Sequence, residues 1–395
     1  MKTTIAIAAA TLALASCQSA PQTRWYKGNL HTHTLWSDGN HFPEMVIDWY
    51  ASRDYHFLAL TDHNILADHE RWMQNDLVVR RGGRRALANY VERFGEAWVD
   101  RRTKDGKLEV RLKRLDEFRP LFEQPGEFLL IPAEEITASF EKKPIHINAS
   151  NVAERIAPAT GTDVRDVIRK TLVAVREHGH HHNRPILAHL NHPNFGWGVS
   201  AEDLAAVVEE QFFEVYNGHP AVNHRGDDAH PSVEHLWDIA NTIRLRELDG
   251  PLLYGLGTDD SHNYHNAAGS TPGRGWIMVR ANELSAPALI DAIERGDFYA
   301  SSGVVLDDVR FDGRELAVDI APAEGATYVT EFLGTRHDDE HVGVVLARVE
   351  GLHPRYTIEG DELYVRATIT SSLAPENPVF EDQLRQAWVQ PVRPR

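Results

Sequence analysis

Histidines and carboxylates recur together in short motifs along the first three quarters of the chain. The first motif is His31-Thr32-His33, with Asp38 in the segment that follows. In an extended strand, residues i and i+2 project from the same face, so His31 and His33 present two imidazoles to one side. Imidazole and carboxylate groups are ligands that zinc, manganese and iron accept. The spacing therefore predicts one wall of a metal site.

Five further motifs carry the same residue types, each in or near the end of an apolar run. They are Thr61-Asp62-His63-Asn64, Pro132-Ala133-Glu134-Glu135, the single His146, His189-Leu190-Asn191-His192 and Gly257-Thr258-Asp259-Asp260-Ser261-His262. Taken alone, each of these histidines would more often be a structural or surface residue than a ligand. Together they favour one site, because the carboxyl ends of parallel strands converge on one face of a barrel.

Short β-like runs alternate with helical stretches between residues 25 and 305, which predicts repeated βα units. Seven strands are predicted at 25–30, 57–61, 128–132, 145–149, 185–190, 212–216 and 252–257, and helices at 43–53, 164–178, 200–210, 232–248 and 286–295. Parallel strands joined in this way place the metal motifs at one end of the sheet. Residues 306–395 alternate in polarity between Gly and Asp turns, which predicts a small antiparallel β module.

Residues 64–127 form an insertion that is too long for an ordinary βα loop. It contains the basic run Arg80-Arg81-Gly82-Gly83-Arg84-Arg85. A lid over the site and a solvated surface excursion are both compatible with this composition. The triplet His180-His181-His182 is interpreted as a solvated loop at a helix end and not as a site.

The amino-terminal residues are interpreted as a targeting segment. Lys2 precedes the apolar run 5–13, and Leu14-Ala15-Ser16 precedes Cys17, the only cysteine. Residues 1–16 resemble the signal peptide of bacterial lipoproteins, which implies a lipid on Cys17 and a tether over 17–24. The expected location is the cell envelope, facing the periplasm, and Gln18 favours the outer over the inner membrane. A plain signal peptide with a coincidental cysteine is the alternative.

Composition and missing motifs exclude several classes of protein. Acidic residues outnumber basic residues by 58 to 41, giving a formal charge of −17, so no stable nucleic-acid partner is expected. The chain has no G-x-S-x-G nucleophile motif and no P-loop. Its single cysteine is assigned to the lipid. These absences agree with a hydroxide bound to metal as the expected nucleophile, since coordination lowers the pKa of water toward about 7.

The motifs resemble those of the PHP (polymerase and histidinol phosphatase) metallohydrolases over residues 25–305. The similarity lies in the HxH-x4-D opening, the TDHN motif, the third motif with its glutamate and the closing DxH. The segments 213–220 (FEVYNGHP) and 257–264 (GTDDSHNY) are similar to the branch that includes carbaryl hydrolases. This resemblance implies a distorted (β/α)7 barrel, in agreement with the seven predicted strands, and a metal-dependent hydrolase.

The resemblance also implies a set of nine ligands for two or three divalent ions, expected to be Zn, Mn or Fe. The first ion would take His31, His33, Glu135 and Asp260, the second Asp38, His63 and His262, and the third Glu135 as a bridge with His146 and His192. The choices of Glu135 over Glu134 and of His192 over His189 stay open. Asp38, His63, Asp260 and His262 flank the expected nucleophile and form the predicted catalytic set. Asp62, Asn64, Asn217 and His219 are candidates to hold the ligands by hydrogen bonds.

Three functions remain open on the sequence. A phosphoesterase acting on phosphate mono- or diesters leads, because several metal ions suit the spread charge of phosphoryl transfer, with Arg274 or an arginine of the insertion as a further cation. The substrate would then be a small anionic ester. A carbamate or carboxylic ester hydrolase is the alternative, favoured by the carbaryl hydrolase branch and by Trp36, Phe195 and Trp197. A metal-binding surface lipoprotein without catalysis is the third.

Overall fold

A computed structural model describes residues 23–394 as a mixed α/β protein. Residues 1–22, and with them the targeting segment and Cys17, lie outside the described residues. The helices are α1 (Pro43–Ala51), α2 (Asn75–Gly82), α3 (Ala86–Phe94), α4 (Leu115–Phe122), α5 (Val164–His182), α6 (Ala201–Ala206), α7 (Val233–Glu247) and α8 (Ala286–Glu294). Among residues 23–394, no helix has both the length and the apolar character needed to cross a membrane.

Strands make up most of the remaining regular structure. They are β1 (Arg24–Asn29), β2 (Phe57–Leu60), β3 (Arg71–Gln74), β4 (Arg101–Lys104), β5 (Lys107–Leu112), β6 (Leu129–Phe140), β7 (Lys143–Ser150), β8 (Leu187–Leu190), β9 (Phe212–Asn217), β10 (Tyr254–Thr258), β11 (Trp276–Ala281), β12 (Phe298–Ser301), β13 (Leu306–Phe311), β14 (Glu315–Ile320), β15 (Tyr328–Arg336), β16 (Val344–Glu350), β17 (Arg355–Thr357), β18 (Glu362–Ser371) and β19 (Gln386–Val392). All seven strands predicted between residues 25 and 257 are present.

Those seven strands are consecutive neighbours in one mixed sheet of 13 strands, whose order is β10-β9-β8-β7-β6-β2-β1-β11-β12-β19-β18-β15-β16. Six of the seven point the same way. The exception is β7, which is antiparallel to both β6 and β8, so the prediction of seven parallel strands is wrong there. The chain has no crossover helix between β6 and β7, and it reverses at Glu141 and Lys142, both with positive φ. A two-residue hairpin turn of this kind joins antiparallel strands only.

The predicted closed seven-stranded barrel is not confirmed, because the ladder of hydrogen bonds is open between β10 and β1. Beyond their carboxyl ends these two strands are joined by an isolated parallel bridge between Thr32 and Ser261. Near the beginning of β10, the side-chain amide of Gln390 from β19 exchanges two 2.8 Å hydrogen bonds with the backbone of Gly255. The edge of β10 is therefore covered by a side chain of the carboxyl-terminal region.

Helices pack on the outer face of the sheet through apolar residues. The side chains of Asp163, Ser200, Ser232 and Ser285 accept hydrogen bonds from the first turns of α5, α6, α7 and α8, as the predicted helix starts required. Trp237 of α7 is fully buried against Phe213 of β9. The triplet 180–182 forms the last turn of α5, so its interpretation as a loop is wrong.

The region after residue 305 is rich in antiparallel strands. Strands β15, β16, β18 and β19 extend the main sheet through the pairing of β12 with β19, and β13, β14 and β17 form a separate sheet. A buried ion pair between Asp238 of α7 and Arg366 of β18, at 2.7 Å, joins this region to the helices. Strands β11, β12, β15, β17 and β19 were not predicted from the sequence.

The insertion is a packed subdomain, so its interpretation as a solvated excursion is wrong. It contains the three-stranded sheet β3-β5-β4 and the helices α2, α3 and α4. Its apolar side chains pack against Leu35, Trp36 and Phe42, which lie next to the first metal motif. Arg81 donates a hydrogen bond to the carbonyl of Ser37, and Arg71 donates one to that of Trp36. The insertion therefore supports the loop that carries Asp38.

Glu210, just before β9, gives a prediction about stability and pH. Burial raises the pKa of Glu210 to about 8, so the folded protein keeps a proton that the unfolded chain loses near its ordinary pKa of 4.5. Stability should therefore fall as the pH rises from about 4.5 to 8, by up to about 1.4 kcal/mol per pH unit. Urea unfolding should show Glu210→Gln to be more stable than the wild type at pH 8 and not at pH 5. An equal difference at both pH values would contradict the buried proton.

Candidate metal centre

The nine predicted ligands form one cluster at the carboxyl end of the parallel strands. His31, His33 and Asp38 follow β1, His63 follows β2, Glu135 lies in β6, His146 in β7, His192 after β8, and Asp260 and His262 after β10. His146 reaches this end because β7 runs in the opposite direction, so the beginning of β7 lies beside the ends of its neighbours. The cluster is therefore assembled from six strands between residues 24 and 258 and the loops that follow them.

The innermost group consists of His31, His33, Glu135 and Asp260. The Nε2 atom of His31 lies 3.4 Å from Glu135 Oε2 and 3.3 Å from Asp260 Oδ1. The Nε2 atom of His33 lies 3.3 Å and 3.1 Å from the same two oxygens. These side chains are almost fully buried, so their polar atoms face each other inside the protein.

The buried polar atoms of this group fit a metal ion. His31 Nε2, His33 Nε2 and Glu135 Oε2 are buried and make no hydrogen bond. Buried polar atoms are otherwise nearly always hydrogen-bonded. Two ligand atoms, each about 2.0–2.1 Å from a tetrahedral zinc ion, lie roughly 3.3–3.4 Å apart, which matches the observed spacing. The residues therefore fit a shared divalent ion.

Two outer groups of candidate ligands lie beside the innermost one. Around Asp38, His63 Nε2 lies 3.5 Å from Oδ2 and His262 Nε2 lies 3.3 Å from Oδ1. On the other side of Glu135, Oε1 lies 2.8 Å from His146 Nδ1 and 3.6 Å from His192 Nε2. His63 Nδ1 lies 2.8 Å from Glu135 Oε2. Glu135 thus faces ligand atoms of all three predicted groups and can bridge them.

The structure distinguishes between the pairs of residues that the sequence left as alternative ligands. Glu134 points away from the cluster, and its Oε1 accepts a hydrogen bond from the backbone of Ile156. His189 is buried behind the cluster, with Nε2 3.5 Å from Glu214. Glu135 and His192, not Glu134 and His189, are the residues that face the other candidate ligands.

Glu214 of β9 is a central residue of the site that the sequence interpretation missed. Its Oε1 accepts hydrogen bonds from His31 Nδ1 at 2.7 Å and from Thr258 at 2.8 Å. Its Oε2 accepts bonds at 2.8 Å from the backbone of His192 and from Asn217. The bond to Nδ1 fixes the tautomer of His31 that leaves Nε2 free as a ligand. A carboxylate inside the apolar run FFEVY was the signal available in the sequence.

Hydrogen bonds also hold the loops that carry the ligands. Asp62 accepts bonds from the backbone and hydroxyl groups of Thr34 and Ser37, which fixes the turn before Asp38. Asn191 donates to Glu135 Oε1 at 2.8 Å. The predicted supporting residue Asn64 instead exchanges two bonds with the backbone of Thr137.

Two ligand candidates have strained backbone conformations. His192 has φ 23° and Asp260 has φ 48°, in the region that non-glycine residues rarely adopt. Such strain is commonly retained at functional sites, where the surrounding contacts fix it. Here it turns both side chains into the cluster after β8 and β10.

Electrostatics inside the cluster favours cations. Burial alone would raise the pKa of Glu135 and of Asp260, but the neighbouring imidazoles hold both well below their ordinary values. Burial and the proximity of His262 lower the pKa of His33 to about 3, so this ring is neutral with a lone pair available. Ionised carboxylates and a neutral imidazole are the states that bind metal.

Other expectations about the site require correction. Arg274 is buried, and its guanidinium donates to the carbonyls of Gly218, Gly269 and Asn377, so it is not free to meet a substrate. Trp36 packs against the insertion, and its indole N–H donates a hydrogen bond to the carbonyl of Lys113. Trp197 stacks on His230, with the ring centres 4.0 Å apart. Of the three aromatic residues, Phe195 alone contacts the cluster, 5.0 Å from the ring of His192.

Asn217 and His219 lie beside the cluster, as expected, but neither accepts a hydrogen bond from a ligating imidazole. Asn217 donates to Asp260 Oδ2 at 3.1 Å. His219 accepts a bond at Nδ1 from the backbone of Ala221, so its hydrogen lies on Nε2 in the neutral ring. The His219 ring lies between Phe195 and His262, at 5.8 and 5.7 Å.

Comparisons with known proteins give limited information. No family model and no curated protein matches the chain. One similar solved structure is a two-domain protein of Bacteroides vulgatus that contains a predicted PHP-like metal-dependent phosphoesterase. Its sequence is 17% identical to this chain, the match covers 93% of this chain and 95% of the other, and the TM-score is 0.41. PsfC from Pseudomonas syringae is 12% identical, with coverages of 68% and 87% and a TM-score of 0.36.

A third solved structure, a protein of Bifidobacterium adolescentis assigned as a metal-dependent phosphoesterase, is 14% identical. The match covers 62% of this chain and 90% of the other, with a TM-score of 0.33. At these levels of identity and TM-score, the likenesses assign neither a family nor an activity to this chain.

Proposed function

We propose that this protein is a metal-dependent hydrolase that acts on phosphate mono- or diesters and binds two or three divalent ions, Zn, Mn or Fe. The observation that carries the proposal is the innermost group, whose buried donor atoms lie 3.1–3.4 Å apart. His31, His33, Glu135 and Asp260 would hold the first ion, Asp38, His63 and His262 the second, and Glu135, His146 and His192 the third. When bound, such ions activate water and polarise a phosphoryl oxygen.

The protein's own residues position the reacting groups. Glu214 orients His31, and Asp62 holds the turn that presents Asp38. His262 donates its Nδ1 hydrogen to the carbonyl of Asp260 at 2.9 Å, which leaves Nε2 directed to Asp38. The Nε2–H group of His219 lies beside the cluster and can donate a hydrogen bond to an oxygen of the substrate.

The charge of the site supports an anionic substrate when three ions are bound. Glu214 adds a fourth carboxylate to Asp38, Glu135 and Asp260, so three divalent ions leave about +2 and two ions leave about zero before hydroxide is counted. An anionic ester gains from a positive site both on binding and in the transition state. The preference for phosphate esters therefore depends on the third ion.

A substrate panel tests this preference. We expect the metal-loaded protein to hydrolyse aryl phosphates or bis-aryl phosphates with kcat/KM at least tenfold above that for aryl acetates and aryl carbamates. The Asp260→Asn variant, purified in parallel, controls for contaminating phosphatases. If the neutral esters were faster by tenfold or more, the alternative of a carbamate or carboxylic ester hydrolase would replace the proposal. Phe195 beside His192 is the observation that favours that alternative, since it offers an apolar wall.

We further infer that β1, β2, β6, β7, β8, β9 and β10 act as one distorted seven-stranded barrel around the cluster. Support comes from the bridge between Thr32 and Ser261 and from two hydrogen bonds beside it, Asp260 N to His31 O and His33 N to Ser261 O, each 3.0 Å. These contacts join the first and last strands where the ligands emerge. The unit 25–305, with its insertion 64–127, is proposed as the catalytic domain and 306–395 as a β-rich module.

We also propose that the protein is anchored by a lipid on Cys17 in the cell envelope, facing the periplasm. The support is the short apolar run before the only cysteine. Fractionation of cells expressing the wild type and Cys17→Ser tests the anchor. The wild type is expected in the membrane fraction and the variant in the soluble fraction, and the same distribution of both proteins would refute lipidation.

A further inference from the structure

A cavity of about 740 Å³ lies outside the metal centre. It is bounded by Lys27 of β1, the end of α1, the loop segments 263–267 and 271–273, Trp276 of β11 and segments around residues 302–305 and 375–377. None of the nine candidate ligands lines it. Its volume is in the range of cavities that hold small organic molecules.

Hydrogen-bond donors without acceptors surround this cavity. Tyr55 is 3% exposed and its hydroxyl has no partner, and the indole N–H of Trp276 is likewise buried without an acceptor. The ammonium of Lys27 lies 3.9 Å from the ring centre of Tyr55 and 4.3 Å from that of Trp276. It makes no ion pair or hydrogen bond with another side chain within residues 23–394. Ring faces attract a cation but do not satisfy its three N–H donors.

A second lysine whose ammonium lies over an aromatic ring is paired with a carboxylate. Lys113 also lies over a tryptophan, 4.8 Å from the ring centre of Trp98. Its ammonium is paired with Asp100 at 2.8 Å. Lys27 has no equivalent carboxylate, and burial lowers the pKa of Lys27 to about 8 in spite of the more distant Asp54 and Asp259.

The remaining charges on the cavity wall are also mainly positive. Arg53 and Arg385 line it together with a single carboxylate, Glu376. This surplus is local, because the whole chain carries a formal charge of −17. The aromatic rings of Trp49, Tyr55 and Trp276 form the apolar part of the wall.

We propose that this cavity binds a small organic anion, with its charged oxygen atoms at Lys27 and its apolar part against the rings of Trp49, Tyr55 and Trp276. A carboxylate, a phosphate monoester and a sulfonate share the chemistry required. The site is independent of the proposed hydrolase activity.

Isothermal titration of the purified full chain tests the proposal with a matched series of probes. Biphenyl-4-carboxylate is expected to bind one site per chain with a Kd at least tenfold below those of biphenyl-4-carboxamide and biphenyl-4-methylamine. Inorganic phosphate, which lacks the apolar part, is expected to bind at least tenfold more weakly than the carboxylate. Equal or tighter binding of the amide, the amine or phosphate would overturn the proposal.

Variants locate the site. Lys27→Met should raise the Kd of the carboxylate at least tenfold, whereas Lys113→Met, the same change over another tryptophan, should leave it unchanged. Asp260→Asn should also leave it unchanged, because the metal centre is not involved. An unaltered Kd in Lys27→Met would place the anion elsewhere and overturn the assignment.

Chemical labelling of the wild type gives a second readout that does not depend on a folded variant. Acetic anhydride at pH 8 followed by peptide mapping measures the acetylation of each lysine. Biphenyl-4-carboxylate is expected to protect Lys27 at least fivefold and to leave Lys107 and Lys113 unprotected. Equal acetylation of Lys27 with and without the probe would contradict binding in this cavity.

Discussion

Asp260→Asn is expected to lower kcat/KM for phosphate esters by about two to three orders of magnitude, because Asp260 would hold an ion that stabilises the negative charge of the transition state. Asp260 Oδ1 lies 3.3 Å from His31 Nε2 and 3.1 Å from His33 Nε2, so its charge is part of the innermost group. Asparagine is the chosen replacement because Asp260 has φ 48°, which asparagine tolerates better than alanine. Elemental analysis should find two or three ions per wild-type chain and fewer per variant chain.

The neighbouring Asp259 provides a matched control. It is buried as well, but it accepts hydrogen bonds from Tyr50 and from the backbone of Gly273, Arg274 and Gly275. Asp259→Asn should therefore lower the free energy of unfolding without lowering the number of ions per chain. If Asp259→Asn lost metal and Asp260→Asn retained both metal and activity, the assignment of the ligands would be wrong by one residue.

Sequence motifs pointed to most of the candidate ligands because those residues follow the ends of strands, whereas Glu135 lies in the middle of β6. A polar residue at the end of an apolar run is visible in the sequence, and parallel strands bring such ends together. His31, His33 and Asp260 follow this rule. His146 does not, because it lies near the beginning of β7 and reaches the cluster only through the reversal of that strand.

Residues that support the ligands were harder to predict, because their roles depend on contacts between distant strands. Glu214 bonds to His31, which is 183 positions away in sequence. Gln390 covers the edge of β10 across 135 positions. Neither contact leaves a periodic pattern in the chain, and strands such as β15 and β19 are defined by pairing that local propensity does not encode.

The number of ions determines what the site can prefer as a substrate. With Glu214 included, a site with two ions is close to neutral and has no electrostatic reason to prefer a phosphate over a neutral ester. His146 and His192, which complete the third group, therefore carry the selectivity in this interpretation. Metal content and substrate preference should change together when either residue is replaced.

Glu214→Gln is expected to weaken metal binding or activity by about 10- to 100-fold, the usual effect of removing a partner that orients a ligand. All four of its partners, His31, Thr258, His192 and Asn217, donate hydrogen bonds to its oxygens. A glutamine must turn its NH2 group toward two of these donors, which breaks the orientation of His31 or of the loop at His192. The measurement is activity against added Zn²⁺ or Mn²⁺, where a positioning role predicts recovery at high metal concentration.

Glu210→Gln is the matched control for this variant, because Glu210 is also a buried glutamate and lies just before β9 begins, away from the carboxyl end where the cluster lies. It should leave the metal dependence of activity unchanged at pH 7. Loss of activity in both variants, without recovery by metal, would indicate general destabilisation of β9. Wild-type metal affinity in Glu214→Gln would show that the 2.7 Å bond to His31 does not hold the ligand, and that the buried carboxylate serves the packing of the sheet alone.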